Sequence, residues 1–188
     1  MKQLKIVNTK IELANYSAEY IVKLAKEYIS QNGQFSIALS GGSTPKILYQ
    51  ALVENYKDAL DWSKVDFFWS DERYVPMDHN DSNMKLAVDY LFKPLGIKTD
   101  NCYFIETLLE NPALAAEKYE RDIQSHFEKP EFDLILLGLG DDGHTASLFP
   151  GTNALEEKEK LVVSNWVDKF QTWRITFTYP LLNAAKNV

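Results

Sequence analysis

Three short runs most constrain the fold of this chain: "FSIALS", "KVDFFWS" and "FDLILLGLG". Each is apolar on both alternating faces, the pattern of a strand covered above and below. Between them lie segments with a helical period. Ala18, Ile21, Val22, Ala25, Tyr28 and Ile29 mark one such face, closed by Asn32-Gly33. A second helix is predicted to open at Pro45, with Thr44 as its cap, carrying Ile47, Leu48, Ala51 and Leu52. A third carries Met84, Ala87, Val88 and Leu91 and is predicted to stop at Pro94. A fourth opens at Asn111-Pro112 and runs through Ala116, Tyr119, Ile123 and Phe127. "NCYFIE", "LVVS" and "RITFTY" complete the strand candidates. Strands alternating with helices predict an α/β fold with a mainly parallel sheet and helices on both faces.

In such a sheet, ligands bind beyond the carboxyl ends of the strands. The loops "SGGSTP", "SDERYVP" and "GDDGHTASLFP" leave those ends and carry the small, charged and imidazole residues that chemistry needs. Gly138, Gly140 and Gly143 also spell G-x-G-x-x-G, a dinucleotide-binding fingerprint. That reading fails, because Pro150 leaves no room for the helix whose N-terminus would hold a pyrophosphate. Asp141 and Asp142 inside the turn would repel it, and the expected downstream acid is replaced by Asn165.

"SGGSTPK" suits a single phosphate better. Gly41 and Gly42 let the backbone approach an anion, Ser43 and Thr44 add hydroxyls, and the following helix offers free N–H groups. Arg73 can bind phosphate bidentately or pair with Asp71 or Glu72, and Arg174 is a second candidate anion ligand. His144 sits where a base that takes a proton from water would sit, and Asp142 could fix its tautomer. His126 reads as a solvated surface residue and His79 as a loop or helix-entry group. No His/Cys pair has metal-ligand spacing.

The 188 residues fit one domain, and a net charge of −7 argues against a nucleic-acid surface. The single cysteine, Cys102, reads as an inert packed thiol in a reducing compartment. "MKQLKIVNTK" lacks the apolar stretch of a signal peptide, and no window is long enough for a membrane span. A cytoplasmic monomer is expected.

"LSGGSTP", "WSDERYVPMDHNDSN", "LLGLGDDGHTASLFPGT" and "RITFTYPLLNAAKNV" together resemble the 6-phosphogluconolactonase family in order, spacing and wording. The resemblance implies a Rossmann-like sheet, no metal or organic cofactor, and hydrolysis of 6-phospho-D-glucono-1,5-lactone in the oxidative pentose phosphate pathway. It implies His144 as the water-activating base with Asp142 beside it. Gly41, Gly42, Ser43, Thr44, Asp71 and Arg73 would hold substrate, with Arg174 helping to clamp the 6-phosphate. Related glucosamine-6-phosphate deaminases place a glutamate five positions past the histidine, where this chain has Phe149, so ring-opening chemistry lacks an acid. A non-catalytic sugar-phosphate sensor is the other alternative, and the joint presence of Asp142 and His144 argues against it. Two departures from the family stand out. "KFQTW" replaces a proline-containing stretch before Arg174. The family's C-terminal strand and lysine-bearing helix are expected to be missing after Val188, leaving an exposed sheet edge and weaker phosphate binding.

Overall fold

A computed structural model describes residues 4–188. Residues 1–3, the start of the stretch read above for a leader, lie outside the described residues. Helix α1 (Lys10–Asn32) starts at Thr9, whose hydroxyl accepts the Glu12 N–H, and ends at Gly33 in the left-handed region. β1 (Phe35–Leu39) follows, then α2 (Ser43–Tyr56), β2 (Val65–Trp69) and β3 (Asp71–Arg73). The chain continues through α3 (Asn83–Ala87), a π-helical stretch (Val88–Phe92), α4 (Lys93–Leu95) and α5 (Pro112–His126). It closes with β4 (Leu134–Ile135), β5 (Val162–Val167), β6 (Thr172–Phe177) and α6 (Tyr179–Ala184).

The predicted parallel sheet is present, in the order β2-β1-β4. Both of its faces are covered. Phe67 packs against Phe92 on one side, while Phe68 on the other meets Tyr103, His126, Phe127 and Phe132. The last two strands do not extend it. β5 and β6 form an antiparallel sheet with β3, in the order β3-β6-β5. Ser70 joins the two sheets. Its N–H donates to the Leu39 carbonyl of β1, and its own carbonyl accepts the Phe177 N–H of β6.

Several local expectations are corrected. "NCYFIE" is not a strand: only one bridge, Phe67 to Cys102, ties it to β2, so no ladder forms. "FDLILLGLG" contributes just Leu134–Ile135, although Leu136 still donates to the Ala38 carbonyl. α2 begins at Ser43 with Gly42 as its N-cap, not at Pro45 with Thr44, because the Gly42 carbonyl already accepts the Lys46 N–H. Pro94 lies inside α4 rather than ending the third helix. The helix ends at Gly96, which takes the left-handed conformation that glycine adopts without strain. His126 is not solvated: its Nε2 lies 3.4 Å from the buried Asp66 carboxylate, among aromatic rings. His79 is a loop residue, its ring nitrogen accepting the Asp81 N–H. Burial pushes the Cys102 thiol up to about 12, which keeps it protonated.

The start of β1 is also tied to the residue before β4 by a buried carboxylate. Asp133 accepts both the Ser36 N–H, at 2.8 Å, and the Ser36 hydroxyl, at 2.9 Å, while Lys186 Nζ lies 2.8 Å from its other oxygen. Asp133→Ala leaves those buried donors without an acceptor and is expected to lower stability by about 1–3 kcal/mol. Urea denaturation checks this; an unchanged midpoint would contradict it.

Candidate functional site

The carboxyl ends of β1 and β4 open into a cleft of about 840 Å³, and the antiparallel sheet forms its far wall. The three loops singled out in the sequence meet there. Gly41, Ser43, Thr44, Asp71, Arg73, His144 and Arg174 all line it. Gly42 and Asp142 stand behind the lining, as the cap of α2 and the partner of His144.

The catalytic-looking end is a dyad. His144 Nδ1 lies 2.5 Å from Asp142 Oδ1, and Lys169 Nζ lies 3.0 Å from Oδ2. The His144 contact and then Lys169 hold the Asp142 carboxyl well below the usual carboxylate range, so it is ionised. An ionised carboxylate can only accept, which places the proton on Nδ1 and leaves the Nε2 lone pair available as a base. Phe149 stacks on the imidazole with centroids 3.9 Å apart and planes 20° apart. Gly140 leaves room for this ring: a Cβ there would sit 2.1 Å from His144 Nδ1. After Gly143 no long helix forms; Thr145 and Leu148 make a tight turn instead, with Ala146 at φ 47°. This absence removes the structural basis of the dinucleotide reading.

The opposite end is cationic. Arg73 on β3 and Arg174 on β6 are direct cross-strand partners, so their side chains leave the same face of the sheet. Arg174 is only 8% exposed, and its Nε is buried without a hydrogen-bond partner. Burial, and after it the neighbouring Arg73, push the Arg174 guanidinium below its ordinary value. Arg73 donates through Nη1 to the Asp81 carbonyl at 2.6 Å, which fixes the guanidinium, while its buried Nε is also unpaired. A buried cation beside a second one favours an anion between them.

Asp71 makes no direct ion pair with either arginine among the described residues. Its Oδ2 accepts from Ser147 Oγ at 2.6 Å and its Oδ1 from Asn83 Nδ2 at 3.3 Å. Asp71 therefore ties the β3 end to the His144 loop, and the Ser147 N–H in turn donates to Thr176 of β6. Asn83 explains Gly41: a Cβ at 41 would fall 1.7 Å from Asn83 Oδ1. Glu72 points the other way and accepts the Asn83, Met84 and Arg73 N–H groups. Burial pushes its carboxyl up, opposed by those three donors.

Lys169, Asn83 and Ser147 were not singled out in the sequence. Lys169 meets Asp142 only because the β5–β6 hairpin returns to the cleft. Asn83 carried a readable signal, since "DSN" before an apolar period marks a helix entry. Among the described residues, no group of three or more His, Cys, Asp or Glu side chains is placed to hold a metal ion. No helix among them is long and apolar enough to cross a membrane.

Comparison with known proteins agrees with this geometry. The family described as "Glucosamine-6-phosphate isomerases/6-phosphogluconolactonase" matches residues 8–188. The chain is 43% identical over 192 residues to a 6-phosphogluconolactonase of Nostoc sp., covering 100% of this chain and 78% of that one. It is 46% identical over 165 residues to a 6-phosphogluconolactonase of Synechocystis sp., covering 85% and 67%. Among solved structures it is similar to the 6-phosphogluconolactonase of Trypanosoma brucei, with a TM-score of 0.89 at 33% identity, covering 98% of this chain and 79% of that one.

Gly140→Ala is expected to push the imidazole off Asp142 while leaving the strands intact. The check is the His144 Nδ1 proton resonance, which should be lost while the far-ultraviolet circular dichroism stays as in the wild type; a retained resonance would contradict the packing.

Proposed function

The chain belongs to the family of glucosamine-6-phosphate isomerases and 6-phosphogluconolactonases, and on that premise we propose that it hydrolyses 6-phospho-D-glucono-1,5-lactone to 6-phosphogluconate. The observation that carries this reading is the joint presence, in one cleft, of a hydrogen-bonded Asp142–His144 dyad and an Arg73–Arg174 cation pair whose buried Nε groups lack partners among the described residues. Such a cleft fits a small molecule with a reactive carbonyl at one end and a phosphate at the other.

In this reading Arg73 and Arg174 take the 6-phosphate, assisted by the hydroxyls of Ser43 and Thr44 at the start of α2. Anchoring makes the attack on C1 effectively intramolecular. His144 Nε2 accepts a proton from water as its oxygen adds to the lactone carbonyl, and the ionised Asp142 stabilises the resulting imidazolium. The tetrahedral intermediate then expels the ring oxygen, which takes the proton from the His144 imidazolium to become the 5-hydroxyl of the open acid and restores the neutral base. Every residue in this scheme comes from one chain, so we propose that a monomer suffices.

Phe149 favours hydrolysis over the isomerase branch of the family. A phenyl ring stacked on the base can hold the imidazole but cannot transfer the proton that ring opening of an amino sugar requires.

The test is a paired assay of lactone disappearance, corrected for spontaneous hydrolysis, and of ammonia release from glucosamine 6-phosphate. The wild type is expected to accelerate only the first. His144→Ala should lower kcat by roughly 10²–10⁴ with KM little changed. Ammonia release, or near-normal turnover by the variant, would overturn the assignment.

A further inference from the structure

The segment "KFQTW" forms the tip of the β5–β6 hairpin and reaches into the cleft. Phe170, at this tip, is 49% exposed. Its contacts are specific. The Arg174 guanidinium carbon lies 5.5 Å from its ring centroid, within cation–π range. On its other flank the ring meets Phe149 edge-to-face, with centroids 5.7 Å apart. The tip is held in place by Gln171, whose side chain donates to the Asp168 carbonyl and whose φ of 49° lies in the left-handed region.

Arg174 needs such a support. It is buried, its Nε has no hydrogen-bond partner, and its cross-strand neighbour Arg73 repels it. Arg73 is fixed by the Asp81 carbonyl, whereas among the described residues no side-chain hydrogen bond holds Arg174. A planar guanidinium over an aromatic face is restricted in its rotation and attracted by the negative face of the ring. Lys169 also lies 5.4 Å from the Phe170 ring, but its ammonium is already paired with Asp142.

From this we infer that Phe170 is a positioning residue for the anion site: its ring holds the Arg174 guanidinium ready to receive the phosphate of the substrate. The inference rests on the proposed lactonase reading for the identity of that anion. Phe170 meets the dyad through Phe149, an apolar contact that leucine can keep, while His144 is held directly by Asp142 and by the buried Phe149. Loss of the ring should therefore act on binding and spare the chemical step.

Calorimetric binding of 6-phosphogluconate tests this with four proteins beside the wild type: Phe170→Leu, Phe170→Tyr, Arg174→Met and the Phe170→Leu/Arg174→Met double variant. Phe170→Leu keeps apolar bulk but removes the aromatic face, and should weaken binding about 2- to 10-fold. Phe170→Tyr should bind as the wild type does. In the Arg174→Met background, Phe170→Leu should add no further loss. In parallel turnover assays, Phe170→Leu should raise KM for the phosphorylated lactone, leaving kcat and the hydrolysis of unphosphorylated gluconolactone unchanged. Independent, additive losses, or wild-type affinity in Phe170→Leu, would overturn the positioning role even if the lactone is hydrolysed. An intact coupling without lactone turnover would support the role and overturn the lactonase reading. A wild type that fails to bind 6-phosphogluconate would overturn both.

Discussion

Ser70 is the single residue on which the arrangement of the cleft depends. It is fully buried, bonded on one side to β1 of the parallel sheet and on the other to β6 of the antiparallel one. A strand can turn from one sheet into another only if its backbone groups find partners in both, since orphaned buried amides are costly. The chain therefore bends at the end of β2, and the bend sets β3 across the mouth of the parallel sheet. Loops that leave β1 and β4 then face side chains from β3 and β6 across a shared space.

Within that space, opposite electrostatic problems are solved at opposite ends. At the dyad, a carboxylate is fully engaged by His144 and Lys169, so it stays ionised and orients one imidazole tautomer. At the cation end, two arginines are brought into register with each other and their buried Nε atoms are left unpaired. Asp71, which lines the same cleft, is spent on Ser147 and Asn83 instead. The protein as a whole is acidic, with a net charge of −7, so this pair is a local exception to the general field. Unmet demand for an anion is the form that binding energy takes before the ligand arrives.

The sequence disclosed the parts of this site that are local in the chain. Asp142 and His144 are two residues apart, and their relation follows from a tight turn at a strand end. The phosphate-type turn at 41–44 could be read for the same reason, although its helix starts two residues before the expected one. What could not be read was pairing between distant segments. Arg73 and Arg174 each looked like an isolated candidate, and only the antiparallel register makes them neighbours. The alternation of "RITFTY" gave a strand but not its sheet, because period-two patterning is the same in both orientations. His126 misled for a similar reason: its charged helical neighbours imply solvent, yet Asp66 on β2 and the surrounding rings enclose it.

The central claim is that one guest spans the cation pair and the dyad. The most direct measurement is a crystal structure of the chain with 6-phosphogluconate bound. The account predicts the phosphate between the guanidinium groups of Arg73 and Arg174 and the C1 carboxylate within hydrogen-bonding reach of His144 Nε2. A phosphate seated away from both arginines, or a carboxylate turned away from His144, would contradict it.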